Sequence, residues 1–181
     1  MTVYTMLADG FEEVEALAVV DVLKRAEIEV YMVSVTGEKL VTGAHQIGVC
    51  ADICFDGADF DKCDMIFLPG GMPGTLNLKN HRGLTEQIRN FDKSGKKLAA
   101  ICAAPSILGE MGILNGKRAV CFPGFEDSLK GAIIADERAV TDGNIFTSKG
   151  MGTAIDLGLE IVKHVAGKEK SEELAGMIQY K

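Results

Sequence analysis

The chain begins with an apolar run, an amphipathic stretch and a second apolar run. Residues 2–7, TVYTML, predict a strand, and the β-branched run IEVYMVSV predicts a second one. Between them, FEEVEALAVVDVLKRA has helical spacing, and four of its apolar residues share one face: Val14, Leu17, Ala18 and Val22. A strand, a helix and a second strand in this order are typical of a parallel sheet.

The same alternation resumes after an excursion, GEKLVTGAHQIGVCADICF, which predicts short strands rather than a helix. CDMIFLPGG predicts a strand that ends at a Pro-Gly-Gly corner. HRGLTEQIRNFDKSGK predicts a helix with Leu84, Ile88 and Phe91 on its apolar face and Gly95 at its end. KKLAAIC then predicts a buried strand.

The last third of the chain continues the pattern. APSILGEMGIL predicts a helix, RAVCF and NIFTSKG predict strands, GTAIDLGLEIVKHVAG predicts a long helix closed by Gly167, and KEKSEELAGMIQ predicts a final helix. No repeat or linker divides the chain, so residues 1–181 are expected to form one three-layer α/β domain with a mainly parallel central sheet. Sites in such sheets form at the carboxyl ends of strands, where the sequence places three corners: ADGFEE, LPGGMPG and ICAAP.

Composition narrows the class of partner. The net charge of −7 and the pI of about 5.0 argue against a surface for nucleic acid or an anionic membrane. The amino terminus, MTVYTMLADGFEE, does not resemble a signal peptide, and no apolar run approaches the roughly 20 residues that span a bilayer, so we expect a cytoplasmic protein. The five cysteines include no C-x-x-C pair and match no zinc signature, which predicts free thiols in a reducing compartment and no metal site.

Cys102 stands between the strand-like KKLAAI and the helix-like APSIL. Unpaired N–H groups and the dipole at a helix amino terminus favour a thiolate there, and Pro105 suits the first helical turn. A buried cysteine that packs as a small hydrophobic residue is the alternative, and the local sequence leaves both interpretations open.

The Pro-Gly-Gly corner offers a partner for such a nucleophile. The backbone N–H groups of Gly71 and Ala103 could together form an oxyanion hole, which needs two donors. A plain tight turn is the simpler interpretation of this tripeptide by itself. A phosphate-binding loop is excluded because its G-x-x-x-x-G-K-[ST] pattern is absent.

An acidic cluster opens the first predicted helix: Glu12, Glu13 and Glu15. Carboxylates in a first helical turn are stabilised by the dipole, which is the simple explanation. A glutamate turned inward would instead have a raised pKa and could hold a proton beside a thiolate, although the residues alone do not say which one does so. None of His45, His81 and His164 directly follows Cys102, so a protease-like triad is not expected.

Taken together, AAICAAP, LPGG, GFEEVE and TSKGMGTAIDLGLEIV resemble the ThiJ/PfpI superfamily, and within it the DJ-1 branch of parkinsonism-associated protein deglycases and their bacterial relatives. The similarity runs over essentially the whole chain, and the order of the motifs is more specific than any one of them. The resemblance implies a flavodoxin-like sandwich with a nucleophile elbow, a homodimer and no cofactor.

The resemblance also assigns roles to residues. The reactive cysteine of the family matches Cys102, and the glutamate that hydrogen-bonds to it matches Glu15. The amide donors of the oxyanion hole match Gly71, with Gly70 beside it, and Ala103.

Four positions bear on these assignments. Cys50 falls where the family places a second cysteine near the dimer interface, and Phe122 stands where some members have a histidine near the reactive cysteine. His45 replaces a frequent arginine, and in a family-like dimer it could approach the partner's pocket. Ala103 stands where the peptidase branch has a histidine, so peptidase activity is not expected.

The resemblance implies a glyoxalase or deglycase that acts on small reactive carbonyls such as methylglyoxal, or on their early adducts, through Cys102 and Glu15. The alternative is a redox sensor or chaperone-like stress protein in which oxidation of Cys102 is the signal. Neither interpretation requires a metal or an organic cofactor.

Overall fold

A computed structural model describes residues 1–180. Its central sheet has seven strands in the order β10-β11-β7-β6-β1-β2-β5, and all neighbours are parallel except β10 and β11. These strands are β1 (Thr2–Leu7), β2 (Glu29–Ser34), β5 (Ile53–Cys54), β6 (Met65–Leu68), β7 (Lys97–Ile101), β10 (Ala139–Asp142) and β11 (Ile145–Ser148). Two small ribbons lie outside it, β3 (Leu40–Thr42) with β4 (Gly48–Cys50) and β8 (Arg118–Ala119) with β9 (Ile133–Ile134).

Helices cover both faces of the sheet. They are α1 (Glu13–Arg25), α2 (Gly74–Asn80), α3 (Arg82–Ser94), α4 (Pro105–Glu110), α5 (Ala154–Ala166) and α6 (Lys168–Met177). Successive side chains of a strand point to opposite faces, so Ile66 packs with α2, α3 and α4 while its neighbour Phe67 packs with α1, α5 and α6. The predicted flavodoxin-like three-layer sandwich with a mainly parallel sheet is therefore confirmed.

The predicted apolar face of the first helix is wrong in its first half. Val22 is buried, but Val14 and Leu17 are exposed. The buried positions in that half are taken by Glu13, Glu15 and Ala16. Because the carboxyl groups of Glu13 and Glu15 face inward, the buried side of the first half of α1 is not the side that carries its apolar residues.

The helix α3 confirms its predicted boundaries and buried face. The side chain of His81 caps its amino terminus by accepting a hydrogen bond from the N–H of Leu84 (3.0 Å), and Gly95 ends it in the left-handed conformation at φ 69°. Leu84, Ile88 and Phe91 are buried, as the spacing predicts.

Later segments differ more from the prediction. The α4 helix ends at Glu110 and is followed by turns, and the RAVCF run forms only the short strand β8 outside the main sheet. The antiparallel edge strand β10 and the short helix α2 were not predicted, because neither has a long periodic pattern. Within residues 1–180, none of the helices has the length and apolar character needed to cross a bilayer.

Candidate active site

The three corners identified in the sequence meet at one edge of the sheet. The strands β1, β6 and β7 are neighbours, and the segment after each runs along their common carboxyl edge. The contact is so close that a Cβ atom added to Gly70, after β6, would lie 2.6 Å from Cys102 Cβ and 2.6 Å from Glu15 Oε2. Gly70 therefore lets the nucleophile candidate and the carboxyl group approach each other.

Cys102 occupies a strained elbow between β7 and α4. Its φ is 63°, a left-handed conformation that costs a non-glycine residue roughly 1–3 kcal/mol. Three backbone hydrogen bonds hold the elbow: the N–H of Cys102 donates to Ser148 O (3.0 Å), its carbonyl accepts from the N–H of Phe122 (2.8 Å), and the N–H of Ala104 donates to Ile101 O (3.0 Å). The sharp strand-to-helix corner expected from the sequence is present.

Glu15 reaches the elbow from the first turn of α1. Its residue is 1% exposed, and its Oε2 accepts a 3.0 Å hydrogen bond from the N–H of Gly70. Burial raises the pKa of Glu15 to about 7, although hydrogen bonds with the Cys102 thiol and the backbone of Gly70 and Met151 lower it. Glu15 thus carries a proton in part of the population near neutral pH.

The Cys102 thiol does not have the depressed pKa that the helix end suggested. Burial, the negative charge of Glu15 and their hydrogen bond raise the pKa of the thiol to about 12, while the amides of Ala103 and Gly71 lower it without reversing this. The helix behind it has only six residues. The thiol and the carboxyl group are a coupled pair, and the proton that one gives up can remain on the other.

The oxyanion donors divide into two roles. The amides of Ala103 and Gly71 face the sulfur of Cys102. The N–H of Gly70 is bonded to Glu15, so this residue holds the carboxyl group instead of serving as the third oxyanion donor that we expected. Gly71 adopts φ 88°, and a Cβ there would meet the backbone N of Glu12 at 2.3 Å, so no other residue fits the corner.

A second buried glutamate lies two residues from Glu15. Glu13 is 3% exposed, and its carboxylate accepts hydrogen bonds from the N–H of His45 (2.8 Å) and from His45 Nδ1 (2.9 Å). Burial raises the pKa of Glu13, but these bonds and one from Ile47 outweigh it, and the net shift is downward. The hydrogen bond between the His45 ring and the Glu13 carboxylate, together with the negative charges of Glu12 and Glu13, raises the pKa of His45.

Glu12, Glu13 and His45 are also the one group among residues 1–180 whose ligand atoms lie close enough for a metal ion, within 4.8 Å of one another. The hydrogen bonds between Glu13 and His45 account for this arrangement without an ion. His45 belongs to this pair in its own chain, and its approach to a partner's pocket stays a prediction.

The other histidines have hydrogen-bond partners of their own, and among the other cysteines Cys121 directly precedes Phe122, whose N–H bonds to Cys102 O. His81 caps α3, and His164 lies on α5, where its Nδ1 is 3.0 Å from Glu160 O. All five cysteines are free; Cys63 and Cys121 are buried, with thiol pKa values raised by burial to about 12 and 11. The structure brings Cys102 together with a carboxyl group and backbone amides, without a histidine beside it.

The sequence points to Phe122 only through the family resemblance, and it does not indicate that Gly150 and Met151 lie at the site. The Phe122 ring lies beside Gly150: a Cβ added to Gly150 would be 3.3 Å from Phe122 Cδ2 and 3.8 Å from Glu15 Oε1. Met151 follows and contributes a backbone hydrogen bond to Glu15. The signal in the sequence is the TSKGMG turn, which points to the site only as part of the family pattern.

A surface cleft of about 500 Å³ lies away from this site. Its lining includes Phe60, Phe91 and Lys96, next to the amino end of β7, whereas Cys102 follows the carboxyl end of that strand.

The fold and the site define an α/β protein of the nucleophile-elbow type, with a cysteine at the elbow and a buried carboxyl group as its partner. The DJ-1/PfpI family model matches residues 1–164, and the chain belongs to this family.

Curated relatives agree with this assignment. The chain is 34% identical to the protein dj-1beta of Drosophila melanogaster over 172 residues, covering 94% of this chain and 92% of that protein. It is 38% identical to the DJ-1 homolog B of Arabidopsis thaliana, but it spans only 39% of that protein's length and less than half of that of homolog A. A deglycase of Thermococcus kodakarensis is 33% identical over 165 residues, covering 90% of this chain and 98% of that enzyme.

Solved structures agree as well. Oxidized DJ-1 of Toxoplasma gondii superposes with a TM-score of 0.94 at 32% identity and covers 99% of this chain and 98% of its own. DJ-1beta of Drosophila melanogaster gives a TM-score of 0.93 at 32% identity, covering 99% of this chain and 98% of its own.

Proposed function

We propose that the protein is a cofactor-free enzyme that uses Cys102 to convert small 2-oxoaldehydes such as methylglyoxal, or their early adducts with amines and thiols. The observation that carries the proposal is the pairing of a cysteine on a strained elbow with Glu15, whose pKa of about 7 lets it both give and take a proton at neutral pH. The Thermococcus relative that is named a deglycase supports the choice of substrate class.

The reaction begins when the proton of the Cys102 thiol moves to Glu15 and the sulfur attacks the aldehyde carbon. The carbonyl oxygen becomes an oxyanion that the amides of Gly71 and Ala103 stabilise, and protonation gives a hemithioacetal. Glu15 then takes the proton from the former aldehyde carbon and returns one to the neighbouring carbon, which yields a thioester of the hydroxy acid. Water cleaves the thioester, so methylglyoxal plus water gives lactate and the free thiol without any oxidant.

The test is lactate formation from methylglyoxal by the wild-type protein and by Cys102→Ala and Glu15→Gln. We expect no turnover in Cys102→Ala and a strong loss in Glu15→Gln, while Cys50→Ala, which removes an exposed thiol elsewhere, keeps its activity. Equal rates in all four proteins would refute the mechanism.

A redox-sensing or chaperone-like stress role is the second candidate, and the exposure of the thiols favours it. Cys102 is partly exposed whereas Cys63 and Cys121 are buried, and a protonated Glu15 could donate a hydrogen bond to a sulfinate at Cys102. One structural neighbour is described as oxidized. Mass spectrometry after mild peroxide treatment would support this role if Cys102 oxidises before the other exposed thiols and methylglyoxal is not turned over.

We also propose a homodimer in the cytoplasm. Val14 and Leu17 form an exposed apolar stripe on α1. Ile47 is also exposed, and it lies two residues after His45, which is hydrogen-bonded to Glu13 of the same helix. Exposed apolar side chains grouped in this way are suited to an interface. Light scattering should give twice the mass of the chain, and Leu17→Asp should give the mass of a single chain.

A further inference from the structure

Three large apolar side chains stand exposed where the backbone holds the reacting pair. Phe122 is 47% exposed and its N–H is bonded to Cys102 O. Met151 is exposed and its backbone is bonded to Glu15, and Met72 is exposed directly after Gly71, whose amide faces the Cys102 sulfur. The backbone of each segment contacts Cys102 or Glu15 or adjoins a residue that does. The apolar side chains of these segments remain exposed to water, which is energetically unfavourable.

The position of Phe122 is the best determined of the three. Its ring atom Cδ2 and Glu15 Oε1 lie 3.3 and 3.8 Å from one point, the place that a Gly150 Cβ would occupy. Its backbone is fixed to the elbow by the 2.8 Å bond to Cys102 O. The ring therefore lies beside Glu15, next to the space that a substrate bound to Cys102 would enter.

A phenyl ring in that position has limited chemistry. It carries no proton to transfer and no hydrogen-bond donor, so it has no acid–base role in the reaction. It offers an apolar, aromatic face that packs well against an aryl or branched alkyl substituent of a substrate. A substrate whose substituent is only a hydrogen atom, such as glyoxal, makes little contact with this face. Met72 and Met151, whose backbones adjoin the site, add two more exposed apolar side chains to this part of the surface.

We propose that Phe122 is a specificity-determining residue that selects 2-oxoaldehydes with an apolar substituent over glyoxal. This inference rests on the proposed function, because it concerns the substituent of the substrate that Cys102 attacks.

The test compares kcat/KM for phenylglyoxal and glyoxal in the wild-type protein, Phe122→Leu and Phe122→Ala. We expect the preference for phenylglyoxal to fall about 10-fold in Phe122→Ala, mainly through KM, and to be partly kept in Phe122→Leu. Ile133→Ala, which removes an exposed apolar side chain on β9, is the matched control and should keep the wild-type ratio. An unchanged ratio in Phe122→Ala would overturn the proposal.

A second readout separates this inference from the enzyme proposal. The rates at which Cys102 reacts with N-benzyliodoacetamide and N-methyliodoacetamide are measured by mass spectrometry in the same variants. If no dicarbonyl is turned over, the proposed function fails, but a benzyl preference that falls with Phe122→Ala still supports the apolar subsite. If that preference is absent or indifferent to Phe122, the subsite fails whether or not the protein is an enzyme.

Discussion

Glu13 and Glu15 lie in the same helical turn and are both almost fully buried, yet their environments act on them in opposite directions. The imidazole and backbone amides that bond Glu13 hold its pKa below the usual range in spite of burial. Glu15 has the Gly70 N–H and a thiol as partners, and burial raises its pKa to about 7. Burial alone therefore does not decide the charge of a carboxyl group; the number and charge of its donors do.

Glu13 and Glu15 therefore differ in charge state and in what their carboxyl groups contact. Glu13 is a fixed anion that ties the segment at His45 to α1. Glu15 has a pKa near neutrality, and in the proposed mechanism it carries protons to and from Cys102. Replacing each with glutamine should therefore have different effects on activity and on the free energy of unfolding.

The largest expected effect is on activity. Glu15→Gln removes the group that moves protons and should lower kcat/KM for methylglyoxal by about 10²-fold or more. Glu13→Gln leaves Cys102 and Glu15 in place and should change it by less than about 10-fold. The two variants are assayed side by side, and equal losses would mean that the two carboxyl groups do not have separate roles.

The second effect is on stability. Glu13→Gln replaces a charged acceptor of several hydrogen bonds, each worth about 1.5–3 kcal/mol, and should lower the free energy of unfolding by about 2 kcal/mol at pH 7. Because the folded-state pKa of Glu13 is lowered, its contribution is present above pH 4.5 and is lost as the pH falls through the folded value. Urea denaturation at a series of pH values from 7 into the acid range checks this: the difference between the two proteins should shrink once the pH falls below 4.5.

The third effect has the opposite sign. The pKa of Glu15 is raised from 4.5 to about 7 in the folded state, so its protonated form favours folding and that stability is lost as the pH rises between these values. Between pH 4.5 and 8, the wild-type protein should lose about 2–3 kcal/mol more than Glu15→Gln, which cannot ionise. Urea denaturation across this range would contradict the assignment if the two curves ran parallel.

Much of the fold could be predicted because its signals are local. The helix α3 has a capping side chain, a regular apolar face and a glycine at its end, and each acts within a few residues. The buried strands β6 and β7 are short apolar runs bounded by turn residues. The start of α1 could not be predicted in this way, because hydrophobic periodicity assumes that glutamates face water.

The site depends on contacts that sequence spacing does not contain. The residues alone propose Cys102 and one glutamate of the acidic cluster, and only the family resemblance singles out Glu15 as the partner of Cys102. The physical reason for the pairing is the order β1-β6-β7 in the sheet. The role of Gly70 depends on a 3.0 Å bond across 55 residues, and Phe122 reaches the site through a bond to the elbow. The direction of the thiol pKa was missed because the sequence shows the helix end but not the depth of burial.

The pH dependence of Cys102 alkylation in the wild-type protein and in Glu15→Gln tests the central claim most directly. If the thiol and Glu15 share a proton, the pair loses its first proton at or below about pH 7, and the rate with iodoacetamide should show a step there before any rise at higher pH. In Glu15→Gln only the Cys102 thiol can lose a proton. The alkylation rate of this variant should therefore lack the step near pH 7 and rise in a single transition at a different pH. Identical profiles in the two proteins would contradict the account.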